Sequence, residues 1–210
     1  MKRRSFLDQS TIGFAGLLIS PNILRLHKKK NAVIDNMKFE PFVVSTWNVP
    51  MANKIAGNEL DNGAIALDAA VKGVAYEEAN ILNTTVGKGG APDRDGNVTL
   101  DACVMNHEGN CGAVLAVQNI THVAALAKEV MIQTPHVILA GEGARKFAIN
   151  QGYILENLLS DESKKAWEKW LKNKDFKVKI NVENHDTIGM LCCDSAGNLS
   201  GACTTSGLAY

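Results

Sequence analysis

The chain has 210 residues, of which 46% are hydrophobic and 21% are charged. This composition is typical of one globular domain and not of a disordered segment. Lysine plus arginine and aspartate plus glutamate number 22 each, so the chain has no net charge that would attract nucleic acid or an anionic membrane. We therefore expect no nucleic-acid partner.

The first residues resemble an export signal. Arg3 and Arg4, followed by Phe6 and Leu7, resemble a twin-arginine motif, and a modestly apolar stretch follows at 12–19. That stretch is shorter than the ~20 apolar residues that a permanent membrane anchor needs. We therefore expect residues 1–36 to be an export signal and disordered N-terminus of a periplasmic protein without a permanent anchor. The alternative is the frayed basic N-terminus of a cytosolic protein.

Strands and helices alternate along the middle of the chain. Asn62 is predicted to cap a helix that continues through Val74, and Thr121 a helix that continues through Val130. A turn-rich loop is predicted at 87–96. Runs of apolar and β-branched residues predict strands at 42–46, 98–105, 112–117 and 137–140. Alanine-rich helix faces between strands indicate a layered α/β fold.

The C-terminal part predicts a charged surface helix at 160–171, an exposed polar connector at 172–184 and then a β-hairpin. The turn chemistry of 194–198 sets the register of that hairpin. With the turn centred on Ala196, Thr187 lies opposite Thr205, or opposite Thr204 or Ser206 if the register slips. Directly opposed side chains lie within reach of each other, so the hairpin places a second hydroxyl beside Thr187.

The five cysteines are Cys103, Cys111, Cys192, Cys193 and Cys203. Cys103 with Cys111 is the most plausible local disulfide, and the simpler interpretation is mostly buried, small apolar residues. The same two cysteines with His107 give three potential metal ligands in a spacing that matches no strong zinc pattern, so no metal site is expected. The glycines of the loop at 87–96 lack the Gly-Lys-Ser/Thr ending of a phosphate-binding loop.

Several short motifs occur in an order that resembles a known family. The segment 184–189 reads Asn-His-Asp-Thr-Ile-Gly, and it is followed by Asp-x-x-Gly-x-x-x-Gly and by Thr-Thr-Ser-Gly at 204–207. Together with the upstream segments, these motifs resemble the glycosylasparaginase branch of the N-terminal nucleophile hydrolases over residues 42–210. The upstream segments are Ser-Thr-Trp at 45–47, Leu-Asp-Ala-Ala-Val-x-Gly at 67–73, Gly-x-Gly-Gly-x-Pro at 87–92, Leu-Asp-Ala at 100–102, Met105, Thr-Pro-His-Val at 134–137 and Gly-Glu-Gly-Ala at 141–144.

The resemblance implies a four-layer α-β-β-α sandwich and a protein that cuts its own chain between Asp186 and Thr187. Freed Thr187 would supply the nucleophilic hydroxyl and, through its α-amine, the base that activates it. Asp186 would accept the hydroxyl proton during self-cleavage, and His185 would tune the site. Thr205 would be the supporting hydroxyl, and Trp47 would line the substrate pocket. The implied reaction is hydrolysis of the amide that joins N-acetylglucosamine to asparagine.

The resemblance also implies a heterodimer, or a higher oligomer of it, with residues 37–186 in the α subunit and 187–210 at the start of the β subunit. No cofactor is implied. The family's β subunit is longer and supplies further substrate contacts, so the sandwich is expected to be incomplete at its C-terminus. One alternative is a non-catalytic remnant. The other is a plant-type asparaginase or isoaspartyl peptidase, in which the threonine usually follows glycine rather than His185 and Asp186.

Overall fold

The computed structural model describes residues 39–173 and 187–210, which form six strands and five helices. The strands are β1 (Phe42–Ser45), β2 (Leu100–Met105), β3 (Cys111–Val117), β4 (Ile138–Ala140), β5 (Thr187–Cys193) and β6 (Leu199–Thr205). The helices are α1 (Pro50–Asp61), α2 (Ala66–Ala79), α3 (Val123–Gln133), α4 (Gly141–Asn150) and α5 (Asp161–Asn173). All four predicted strands, both hairpin strands and the charged helix are present, with no end shifted by more than two residues.

The strands form one sheet in the order β1-β5-β6-β2-β3-β4. Neighbouring strands are antiparallel except for β3 and β4, which are parallel and are connected through α3. The hairpin β5–β6 comes last in the sequence but lies between β1 and β2. Its hydrogen bonds therefore tie the end of the chain to strands formed more than 80 residues earlier.

One face of the sheet is covered by helices. On β5 the side chains of Ile188, Met190 and Cys192 are buried, in alternation with more exposed neighbours. Helix α2 lies against this face, and a Cβ atom at Gly73 would lie 2.5 Å from the Met190 sulfur. Small residues on α2 therefore allow the helix to lie very close to the sheet, as its alanine-rich sequence predicted.

The opposite face of the sheet carries apolar side chains that are about half exposed: Val44, Met105, Leu115, Ile138, Leu191 and Leu199. The described residues thus form a helix layer and a sheet layer. This mixed arrangement of a six-stranded sheet and five helices within the described part of the chain fits the layered α/β sandwich that the sequence predicted.

Helix α1 was not predicted, and Asn62 does not cap α2. Asn62 instead ends α1, where its backbone N–H donates to the carbonyl of Asn58, and α2 begins after Ile65. The buried positions of α1 are Ala52, Ala56 and Leu60. Because two of these three side chains are alanine, the apolar periodicity of this helix is weak in the sequence.

Thr121 also does not cap its helix, because its hydroxyl donates to the Glu156 carboxylate. The N-terminus of α3 is stabilised from another part of the chain, since the backbone N–H of Ala124 donates to Glu78 Oε1 at 3.0 Å. A carboxylate at a helix N-terminus interacts favourably with the helix dipole. Helix α4 was likewise not predicted, because its glycine-rich start resembles a loop.

The predicted disulfide between Cys103 and Cys111 is wrong, since all five cysteines are free. In the ladder between β2 and β3, Cys103 lies opposite Ala113 and Cys111 lies opposite Met105. The two cysteines are therefore diagonal neighbours. Diagonal Cβ atoms on adjacent strands are about 7–8 Å apart or somewhat less, which is longer than the roughly 3.5–4.5 Å of a disulfide.

Candidate active site

Thr187 and Thr205 face each other across the hairpin. Thr187 opens β5, Thr205 closes β6, and they are a directly opposed pair in the antiparallel ladder. The register predicted from the turn at 194–198 is confirmed, without the slip to Thr204 or Ser206. Both side chains are partly buried. Because directly opposed side chains lie within reach of each other, the two hydroxyls are neighbours at one end of the sheet.

The segment after β1 holds the main chain of Thr187. The indole N–H of Trp47 donates to the Thr187 carbonyl at 2.8 Å, and the Thr46 hydroxyl donates to the same oxygen at 3.4 Å. The Thr46 hydroxyl oxygen also accepts from the Gly189 N–H at 3.0 Å, and the Thr46 N–H donates to the Gly189 carbonyl at 3.0 Å. These contacts fix the start of β5 and with it the direction in which the Thr187 side chain points.

Hydrogen bonds also hold Thr205 and the residue that follows it. Its hydroxyl oxygen accepts a hydrogen bond from the Gly207 N–H at 3.0 Å. The next residue, Ser206, donates its backbone N–H to the Thr85 carbonyl at 2.8 Å. On the neighbouring strand, Asp101 lies opposite Thr205 and accepts a hydrogen bond from the Ala116 N–H at 2.7 Å. Thr85 was not singled out in the sequence, and Asp101 entered only through the Leu-Asp-Ala motif at 100–102, because their contacts exist only once the strands pair.

A cleft of about 510 Å³ lies close to the threonine pair. Its lining includes Asn48, Tyr76, Asn83 and Thr85. Asn48 follows Trp47, which bonds Thr187, and the Thr85 carbonyl accepts from the residue after Thr205. The volume is in the range of small-molecule sites, which are about 300–1,000 Å³. Amide, hydroxyl and aromatic groups in this lining suit a polar ligand.

Trp47 was predicted to line the substrate pocket. It is 37% exposed, and its indole N–H is directed at the Thr187 carbonyl. Trp47 is not among the lining residues of the cleft beside Asn48. Contact of Trp47 with substrate therefore stays a prediction, and what the structure adds is a hydrogen bond that positions the threonine.

A buried carboxylate lies beneath the pair. Glu78 on α2 has no exposed surface, and its Oε1 accepts hydrogen bonds from the Thr204 hydroxyl at 2.8 Å and from the Ala124 N–H. Its Oε2 lies 3.5 Å from Nδ1 of His122. Hydrogen bonding to Glu78 raises the pKa of His122, and Glu156 adds to the effect, against the opposing effect of burial. Glu78 thereby ties β6, next to Thr205, to two helices.

The glycine-rich loop packs against the same carboxylate residue. Gly87 has a φ of +57°, and a Cβ atom there would lie 2.1 Å from the backbone oxygen of Glu78. That oxygen accepts a hydrogen bond from the Lys88 N–H at 2.7 Å. Glycine at position 87 is therefore needed both for the left-handed backbone and for the close approach. Close packing at Gly87 and the hydrogen bond from Lys88 therefore join the loop to the end of helix α2.

His185 and Asp186, the predicted self-cleavage residues, lie outside the described residues. Among residues 39–173 and 187–210, no group of three or more histidine, cysteine, aspartate or glutamate side chains is arranged to hold a metal ion. In the same part of the chain, none of the helices has the length and apolarity needed to cross a bilayer.

The fold and the paired threonines define a layered α/β protein with a hydroxyl-bearing residue opening a central strand. The sequence model of a family described as asparaginase matches residues 21–210, and the chain belongs to that family. A protein of Elizabethkingia miricola named N(4)-(beta-N-acetylglucosaminyl)-L-asparaginase is 46% identical over 99% of this chain and 61% of its own length.

Two eukaryotic relatives match less closely. A rat protein with the same name is 31% identical over 81% of this chain and 58% of its own length. An Arabidopsis thaliana protein named probable isoaspartyl peptidase/L-asparaginase 3 is 32% identical over 81% of this chain and 60% of its own length. The chain thus spans about three fifths of the length of these relatives.

Proposed function

We propose that the protein to which this chain belongs is an amidohydrolase that cleaves the bond between N-acetylglucosamine and asparagine, with Thr187 as nucleophile. The observation that carries the proposal is the opposition of Thr187 and Thr205 at the end of the sheet, with the Thr187 carbonyl held by Trp47. The names of the Elizabethkingia and rat relatives support the substrate. The names of all three relatives describe amide-cleaving enzymes.

The first step is self-cleavage. The Thr187 hydroxyl attacks the Asp186 carbonyl carbon, the peptide C–N bond breaks, and the acyl group of Asp186 moves to the threonine oxygen as an ester. Water then hydrolyses this ester. The Asp186 carboxylate accepts the hydroxyl proton, and His185 tunes the site. The hydrogen bonds from Trp47 and Thr46 support this step, since they anchor the carbonyl on the other side of Thr187 while its amide bond is broken.

The freed α-amine of Thr187 then serves as the base for its own hydroxyl. An α-amine has an ordinary pKa of about 7.7–8.0, so a sizeable fraction is unprotonated at neutral pH. The activated hydroxyl attacks the side-chain carbonyl of the glycosylated asparagine and forms a β-aspartyl ester, with release of the glycosylamine. Water hydrolyses the ester to aspartate. The Thr205 hydroxyl, fixed by the Gly207 N–H, stands beside these reacting atoms.

Self-cleavage would divide the molecule into two chains without dispersing them. Residues 187–210 would begin the second chain, and their hairpin lies between β1 and β2 of the first. The pairings of β1 with β5 and of β2 with β6 would hold the resulting αβ heterodimer together. The twin-arginine motif at Arg3 and Arg4 supports export to the periplasm as part of the same proposal.

The second candidate function is asparaginase or isoaspartyl peptidase activity with the same nucleophile. The name of the Arabidopsis relative favours it. In both reactions an amide at the asparagine or aspartate side chain is hydrolysed through a β-aspartyl ester. The two candidates differ only in the leaving group, which is a glycosylamine in one and ammonia or an amino acid in the other.

The test uses the full-length gene product. Intact-mass measurement and N-terminal sequencing are expected to find a new chain that begins at Thr187, and Thr187→Ala is expected to remain a single chain without activity. Thr205→Ala is expected to slow turnover by roughly 10²–10³-fold, the usual loss when one preorganised hydrogen-bonding group is removed from an active site. Cleavage and turnover by Thr187→Ala at the wild-type rate would exclude the proposed nucleophile.

The substrate is decided by comparing two compounds. Faster hydrolysis of N-acetylglucosaminyl-asparagine than of a β-aspartyl dipeptide supports the first candidate. The reverse preference supports the second. Thr187→Ser serves as the matched control, because serine keeps the hydroxyl and the amine but loses the methyl group that restricts the side-chain rotamer. Retained cleavage in this variant would show that the hydroxyl is the group that matters.

A further inference from the structure

Two adjacent glutamates are buried at the end of helix α2. Glu77 and Glu78 lie in its last turn, and the exposed fractions of the two residues are 8% and 0%. Burial of a carboxylate is costly unless hydrogen bonds replace the lost water, and a negative charge near the C-terminus of a helix interacts unfavourably with the helix dipole. Their placement does not stabilise the helix, so we looked for its reason in the groups that the two carboxylates contact.

Glu78 holds the residue before Thr205. Its Oε1 accepts a hydrogen bond from the Thr204 hydroxyl at 2.8 Å, and Thr204 has no exposed surface. Successive side chains of a strand point to opposite faces of the sheet, so Thr204 faces the helices and Thr205 faces away from them. Glu78 therefore acts on Thr205 through the backbone of β6. Because the contact is enclosed between α2 and the sheet, it does not depend on what covers the opposite face.

Glu77 holds the residue after Thr205 through two intermediates. Its Oε2 accepts a hydrogen bond from the side-chain amide of Asn83 at 3.0 Å. The side-chain oxygen of Asn83 accepts from the Thr85 hydroxyl at 2.8 Å and from the Thr85 N–H at 3.0 Å. The Thr85 carbonyl accepts the backbone N–H of Ser206 at 2.8 Å. The last turn of α2 thus holds the backbone on both sides of Thr205.

We propose that Glu77 and Glu78 are positioning residues that fix the Thr205 hydroxyl for amide hydrolysis. This role rests on the proposed function, because it presupposes that Thr205 supports the reaction at Thr187. Both carboxylates act through other residues, so they contribute geometry to the reaction. A displacement of about 1 Å at a reacting centre can slow a reaction by about 10²-fold. Loss of either contact is therefore expected to lower kcat and kcat/KM together.

The experiment measures kcat and KM of the self-cleaved full-length protein on N-acetylglucosaminyl-asparagine and on a β-aspartyl dipeptide. Rates are expressed per cleaved molecule, and circular dichroism verifies folding. Thr204→Val removes the hydroxyl that binds Glu78, and Glu77→Ala removes the acceptor for Asn83. Each is expected to lower kcat about 10- to 100-fold and to change KM by less than about twofold. Thr204→Ser and Glu77→Gln retain a hydroxyl donor and an acceptor oxygen, and each is expected to recover most of the lost rate.

The same substitutions in a Thr205→Ala background separate positioning from a merely structural role. If the glutamates act through Thr205, Thr204→Val and Glu77→Ala cause no further loss of kcat once the Thr205 hydroxyl is absent. Thr121→Val is the matched control, because Thr121 is also buried and its hydroxyl also donates to a glutamate, Glu156, outside β5 and β6. This control is expected to lower the Tm and to leave kcat unchanged.

Two results would overturn the proposal: wild-type kcat in either Thr204→Val or Glu77→Ala, or the same fold loss of kcat with and without the Thr205 hydroxyl. Thr205→Ala distinguishes this failure from failure of the proposed function. If Thr205→Ala is slow while Thr204→Val and Glu77→Ala are fully active, only the positioning role is refuted. If Thr205→Ala turns over at the wild-type rate, the supporting role of Thr205 is refuted and the positioning role with it.

Discussion

Replacement of Glu78 tests the buried network beneath the threonine pair. The carboxylate has no exposed surface, and its Oε1 accepts hydrogen bonds from the Thr204 hydroxyl at 2.8 Å and the Ala124 N–H at 3.0 Å. Glu78→Gln keeps the size of the side chain and removes its charge. Glu78→Ala removes both acceptor oxygens and leaves two donors without this partner.

The magnitudes follow from the two hydrogen bonds. A hydrogen bond to a charged group contributes about 1 kcal/mol more than a neutral one, so Glu78→Gln is expected to lower the free energy of unfolding by about 2 kcal/mol. An unsatisfied buried donor costs roughly 1–3 kcal/mol, so Glu78→Ala is expected to lose about 4 kcal/mol. The ion pair with His122 adds little to either figure, because the His122 side chain is 44% exposed.

The assay is urea denaturation followed by circular dichroism, with Glu59→Gln as the control. Glu59 pairs with Lys72 at 2.7 Å on the surface, where the side chains are 28% and 62% exposed, so its loss is expected to cost less than about 1 kcal/mol. A double-mutant cycle of Glu78→Gln with Thr204→Val isolates the contact to β6. Equal stabilities of Glu78→Gln and Glu59→Gln, or a coupling energy of zero in the cycle, would refute the reasoning.

Three further predictions concern pH, the proposed nucleophile and packing. Glu78 raises the folded-state pKa of His122 above 6.5, so the stability that this contact contributes is fully present below pH 6.5 and is lost as pH rises through the folded-state pKa. His122→Gln should therefore reduce the change in the free energy of unfolding between about pH 6 and 9, as measured by urea titrations. Trp47→Phe removes one hydrogen bond from the Thr187 carbonyl and should slow the proposed self-cleavage by about 3- to 10-fold, as followed by gel densitometry; an unchanged rate would contradict a positioning role. Gly112→Ala places a Cβ atom 2.1 Å from a backbone oxygen of α3 and should lower the free energy of unfolding by about 2–3 kcal/mol. Gly57 lies in helix α1, and a Cβ atom there would have no neighbour within 4 Å, so Gly57→Ala should be neutral or stabilising in the same thermal melts.

The hairpin shows how far local signals extend. The turn residues between Cys193 and Leu199 and the strand-like runs on either side predicted the register to within a residue, and the structure has Thr187 opposite Thr205. A two-strand register depends on turn geometry and on alternation, and both are visible in sequence. Helix caps were less predictable. Thr121 has the chemistry of a cap but donates to Glu156, while Glu78 stabilises α3 from a distant helix.

The cysteines show the limit of sequence spacing. Cys103 and Cys111 are close in the sequence and were the natural candidates for a disulfide, but the ladder places them on a diagonal. Cys203 is far away in the sequence and lies directly opposite Cys103. The pairing of β2 with β6 decides which thiols meet, and no local pattern reports that pairing.

The sequence by itself indicated the six strands, three of the five helices of the described residues, the central hairpin register and the family to which the chain belongs, because turn chemistry, alternation and short motifs are local properties. The tertiary structure alone decided that Trp47 donates to the Thr187 carbonyl, that Thr85 holds the residue after Thr205, and that Glu78 lies beneath β6. These contacts join residues more than 100 positions apart. They arise when β5 and β6 insert between β1 and β2, since strand insertion brings hydrogen-bonding groups together irrespective of their distance along the chain.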